Sequence, residues 1–181
     1  MITITIPASD WYDEKAGEIL QIKETTLSME YSLISVSEYE AHTHKAFLSK
    51  KEKTLDEWLY FFYCMVINKN GIDPRIFYAI PAKEYVRLQN YIADPMTATT
   101  ITNRKKNQKP TNEMTSEELY AAMSMLNIPY ECKKWHLSRL ITLIEVCAAR
   151  NSPPEKMSKA DAARGWRELN AKNRAKYKSK G

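Results

Sequence analysis

Residues 128–150, IPYECKKWHLSRLITLIEVCAAR, hold the side-chain types from which metal sites and nucleophilic centres are built. Cys132 and His136 are four apart, so on one helix they share a face, as paired metal ligands often do. A zinc site takes about four ligands. The other candidates, Cys64, His42 and His44, lie far away in the sequence. A Cys–His nucleophile needs a thiolate activated by the base, a third group to orient that base, and donors for an oxyanion. Cys132 and His136 could meet on one helical face, but nothing in the sequence supplies the oxyanion hole. His42 and His44 are two apart, which fits one face of a strand, whereas their surroundings read as helical. The expectation is therefore a core helix over 128–150. His136 lies near its start, and Cys147 sits on an apolar stripe with Leu137, Leu140, Ile141 and Ile144. No catalytic, cofactor or metal residue is assigned, and the chain is not expected to be an enzyme.

The elements that position these residues have a mixed signature. The chain has 181 residues, 44% of them hydrophobic, which suits one domain with a real core and an appended tail. Four glycines and no G-x-G-x-x-G or G-K-[ST] argue against the common phosphate-binding loops. MITITI alternates strictly up to Pro7 and predicts a strand. EILQIKETTLSMEYSL predicts one or two more after a turn near Lys15–Gly17, giving a small N-terminal sheet. Helices follow. The first starts with Ser35 or Ser37 as cap. The second has Thr54 and Glu57 as a capping box and Gly71 at its end. The third runs from Pro81 to Pro95 with Tyr85, Leu88 and Ile92 on one face. Residues 96–112 read as an exposed loop or short hairpin. Thr115 and Glu118 form another capping box, and Ile128–Pro129 ends that helix. NSPPEK stops the 128–150 helix, and Ser158 caps a last one. The fold class is mainly α with a small N-terminal β-sheet (α+β), a helical-bundle body and a basic C-terminal helix. The body spans 1–152, with the β element over 1–34 and helices over 35–152. The tail spans 153–181.

The opening MITITIPASDWYDEK lacks the basic-then-apolar order of a signal peptide. The longest apolar run, Trp58 to Ile67, has ten residues, where a bilayer needs about 20. Three cysteines without a C-x-x-C pair point to reduced thiols in a cytoplasm. The net charge of +5 is uneven: nine basic and three acidic residues in 155–181 give +6, which leaves −1 for 1–154. The basic end suits either an acidic or helical protein partner, or nucleic acid through charge and stacking on Trp166 and Tyr177. In the protein-partner reading Trp166, Leu169 and Asn173 face the partner. Gly165, at a helix-interior cost of about 1 kcal/mol against alanine, puts the continuity of the last helix in question.

Four blocks carry a resemblance: MEYSLISVSEYEAHTHKAFLSKKEKT (29–54), DPMTATT (94–100), IPYECKKWHLSRLITLIEVC (128–147) and SPPEKMSKADAARGWRELNAKNRAKYKSKG (152–181). In this order they resemble the tail assembly chaperones of bacteriophages with long, non-contractile tails. The resemblance covers most of the chain and is weakest over 1–20. It implies a protein made in the host cell cytoplasm that binds the helical tape-measure protein and keeps it soluble while the tail tube forms. It also implies a possible homo-oligomer and a longer frameshifted form of the same protein, with the end KYKSKG matching the short product. A client of this kind exposes apolar helical faces. Trp135, Leu140, Ile144, Trp166, Arg167 and Arg174 are taken as partner-binding residues from their helical faces and charge. Met114, Met123 and Met125 suit an adaptable surface around one helix. The alternatives are a structural tail protein retained in the virion and a nucleic-acid-binding protein that uses the basic tail. No membrane contact is expected.

Overall fold

The computed structural model describes residues 1–14, 16–99, 114–151 and 159–177. The 100–112 part of the expected loop, the 152–156 part of the NSPPEK stop and the Ser158 cap lie outside the described residues. The chain divides into two compact units, Met1–Ala148 and Ala149–Gly181.

The class is α+β. The N-terminal element contains four strands, β1 (Ile2–Ile6), β2 (Ser9–Asp13), β3 (Glu18–Ile22) and β4 (Thr25–Met29), in two antiparallel pairs, β1 with β4 and β2 with β3. Ile6 pairs Thr25 and Ser9 pairs Ile22, so Pro7–Ala8 and Lys23–Glu24 interrupt one long hairpin without shifting its register. Alternation decides the faces. Ile4, Ile6, Leu27 and Met29 turn inward, while the Thr5 and Thr26 hydroxyls meet at 3.1 Å outside. The tip closes at Gly17, whose φ of +68° is open to glycine at no steric cost and whose N–H reaches the Asp13 carbonyl at 2.7 Å. Strand β2 was not expected. Its sequence, SDWYD, is polar apart from two aromatics, and its hold comes from tertiary contact. Trp11 stacks on Tyr78 at 4.6 Å, and Arg75 joins Glu18 at 2.5 Å and Asp13 at 3.4 Å.

Helix α1 (Leu33–Thr43) starts earlier than expected. Ser32, not Ser35 or Ser37, is the cap, and Ser35 answers it from the third helical position: each side-chain oxygen accepts the other residue's N–H. Helix α2 (Leu55–Met65) has the expected Thr54–Glu57 box, and Glu57 also pairs with Lys45 at 2.5 Å. It ends at Met65 rather than Gly71. The extended Val66 forms a bridge with Met29, Glu30 N–H donates to the Met65 carbonyl at 2.8 Å, and Ile67 N–H donates to the Ser28 carbonyl at 3.0 Å. Pairing with the edge of β4 thus replaces two further turns of helix, and it covers a strand edge that would otherwise be unpaired.

A 3-10 turn over Pro74–Ala79 leads to α3 (Ala82–Ala93), whose Leu88 is fully buried. Helix α4 (Ser116–Met125) has the Thr115–Glu118 box. The 128–150 stretch is not one helix. It divides into a 3-10 turn over Tyr130–Lys134, an extended Trp135 and α5 (Leu137–Asn151). The division is made by the bridge between Ser32 and His136 and by Leu137 N–H donating to the Tyr31 carbonyl at 2.7 Å. In the second unit α6 (Lys159–Tyr177) runs unbroken through Gly165, which answers the question that glycine raised about its continuity. The first unit's core gathers Tyr31, Tyr39, Phe47 and Phe61, with Phe47 stacked on Phe61, around the inward isoleucines of β1.

Candidate partner-binding surfaces

Cys132 and His136 do not share a helical face, because the chain is 3-10 at one and extended at the other. Both are buried. His136 Nε2 lies 3.0 Å from the Tyr91 carbonyl oxygen, which can only accept, so Nε2 carries the proton. Nδ1 then has a lone pair and no hydrogen-bond partner among the described residues. The ring meets Tyr31 and Tyr91 edge to face. Burial pulls its pKa below the ordinary value, opposed by the Tyr91 carbonyl and by Glu30. Cys64 is likewise buried, and burial first, then the Glu38 carboxylate, pushes its thiol up to about 12. A thiol so held is neutral at physiological pH and a poor nucleophile. His42 is stacked on Tyr60, and His44 is the left-handed C-cap of α1. Among the described residues no three of His, Cys, Asp and Glu converge as a metal site.

The first unit has a groove of about 560 Å³ where α1 passes the α2 terminus. Its floor is Cys64, Met65 and Val66, brought there because α2 ends at Met65 and its chain turns along β4. Ile34 on α1 is 39% exposed and Ile67 is 57% exposed, and both line the groove. Charges stand around them: Glu30, the Glu38–Lys69 ion pair and Lys134. The volume is that of a pocket for a few large apolar side chains. Sequence reasoning missed Ile34 and Ile67. A signal existed for Ile67, the last residue of the apolar run, but it was absorbed into a helix extended to Gly71. Ile34 falls at the second position of α1, where a later cap would have left it outside the helix.

The structure separates the residues taken as partner-binding. Leu140 is 0% exposed and belongs to the core, so it offers no surface; its place on the apolar stripe is explained by packing alone. Trp135 is half-buried, with the Arg139 guanidinium over its ring at 4.3 Å, and Ile144 is half-buried against the core. Of the methionines, Met123 is core, whereas Met114 and Met125 are exposed. In the second unit Trp166 is 66% exposed, and Arg167 and Arg174 are exposed on the same helix. Among the described residues no helix is long and apolar enough to cross a membrane. Compared with protein-family models, with curated proteins and with solved structures, the chain finds no match.

Proposed function

We propose that the chain is a tail assembly chaperone of a long-tailed phage, one that binds the tape-measure protein and keeps it soluble in the host cytoplasm during tail assembly. The observation that carries the reading is the groove beside β4, where Ile34 and Ile67 stand exposed over an apolar floor inside a ring of both charges. An amphipathic helix can set apolar anchors into such a groove and meet the ring with its polar flanks. The four sequence blocks that resemble this family support the same reading, and the first of them, residues 29–54, contributes Glu30, Ile34 and Glu38 to the groove.

The test is co-expression of the full chain with the tape-measure protein of the same phage, scoring soluble client. The native chain is expected to keep the client soluble and to co-purify with it. Ile34→Glu and Ile67→Glu, on exposed positions, are expected to abolish both while leaving the circular dichroism spectrum unchanged. A client as soluble without the chain as with it contradicts the proposal. Stoichiometric chain in purified virions would instead support a structural tail protein.

A further inference from the structure

We propose that α6 is a docking helix whose occupant is an acidic amphipathic helix of a partner protein. All of residues 163–177 are exposed. Trp166, Leu169, Asn173 and Tyr177 recur at intervals of three, four and four, which places them on one face of a helix with about 3.6 residues per turn. At about 100° of rotation per residue, Arg167 and Arg174 flank that face on one side, and Lys172 and Lys176 flank it on the other. Glu168 is the one acidic residue in 163–177 against Arg164, Arg167, Lys172, Arg174 and Lys176, so the segment carries five minus one, or +4.

This arrangement selects among occupants. A second copy of α6 would set cationic flanks against cationic flanks, which is unfavourable in either orientation. A nucleic acid is best met by one continuous basic stripe, whereas here the apolar face divides the cations into two rows. A lipid surface calls for a broad apolar face, and Asn173 sits in the middle of this narrow one. A helix with leucines along its contact face and glutamates on both sides satisfies the aromatic and aliphatic residues and both cationic rows at once. Asn173 then fixes register by meeting a polar residue, as a single polar position does in a helix pair. The inference concerns α6 and stands apart from the groove, so Ile34 and Ile67 variants do not bear on it.

The probe is a fluorescently labelled synthetic helix with leucine at the a and d positions and glutamate at e and g, titrated with the full chain and read by anisotropy. Comparison probes are the same helix with lysine at e and g, a duplex DNA oligonucleotide and phosphatidylglycerol vesicles. The acidic helix is expected to bind. Trp166→Ala, and separately the pair Arg167→Glu with Arg174→Glu, should weaken it at least tenfold with circular dichroism unchanged. A chain with both rows reversed, Arg167, Lys172, Arg174 and Lys176 all replaced by glutamate, should gain binding to the lysine helix. The proposal is overturned if the acidic helix does not bind, or if it binds the variants as well as the native chain. Tighter binding of the DNA or the vesicles than of the acidic helix overturns it too.

Discussion

Glu40 is a buried carboxylate whose hydrogen bonds among the described residues all come from backbone N–H groups. One oxygen accepts the Phe47 N–H at 2.8 Å, and the other accepts the Ser116 N–H at 2.7 Å. Ser116 opens α4, where N–H groups lack intrahelical acceptors and the helix dipole favours an anion. One side chain therefore joins α1, the Phe47 segment and α4. Glu40→Ala leaves two buried N–H groups without acceptors and is expected to cost about 3 kcal/mol in urea unfolding. Glu40→Gln keeps one acceptor oxygen and should cost less. His136 makes a pH-dependent contribution. Its folded-state pKa lies below the unfolded value of about 6.5, so the folded state binds its proton less readily. The stability it protects is present above about pH 6.5 and is lost as pH falls through the lower folded-state value. Stability measured from pH 8 down to pH 5 should decline more for the native chain than for His136→Gln. Equal slopes would remove His136 from the acid response. Neither role was legible in the sequence. Nothing in the sequence singles out Glu40, because its partners lie seven and 76 residues away. His136 was noticed for its spacing from Cys132, but that spacing has meaning only on a continuous helix.

The elements divide by how local their causes are. The capping boxes at Thr54 and Thr115 are set by residues three apart, and the structure has both. Thr54→Ala is expected to cost about 1 kcal/mol by chemical denaturation, the ordinary value for loss of an N-cap. No change would mean that the Lys45–Glu57 contact holds the turn without it. β1 and α3 were equally legible, because strict alternation and a proline at the helix start are local signals. What failed was non-local. The α2 terminus is set by pairing of residues 65–67 with β4, the division of 128–150 by pairing of 136–137 with Tyr31 and Ser32, and β2 by Trp11 on Tyr78 and by Arg75. Tertiary hydrogen bonds overrode helical propensity at both helix boundaries. The groove inherits that illegibility, since its floor exists only because α2 stops where it does. The face of α6 was legible, because a helix exposed over residues 163–177 displays its periodicity directly.

At the scale of the whole molecule, the buried hydrophobic residues among those described all lie between Ile4 and Leu140, inside the first unit. A chain ending at residue 151 is thus expected to unfold at the same temperature as the full chain, within about 2 °C, since residues 163–177 are exposed and add no buried hydrophobic side chain. A larger drop would assign the second unit a stabilising role. The two units carry different surfaces: an apolar groove ringed by both charges in one, and a basic, aromatic-faced helix in the other. The proposed chaperone role would use both, one to cover apolar faces of the client and one to engage acidic ones. The most direct test of the central claim is site-specific photo-crosslinking in cells that co-express the tape-measure protein. A photoreactive residue at Ile67 should yield a crosslink to the client, and one at Tyr12, an exposed site on β2 away from the groove lining, should not. Client crosslinked from Tyr12 and not from Ile67 would contradict the account, and so would no client crosslink from either position.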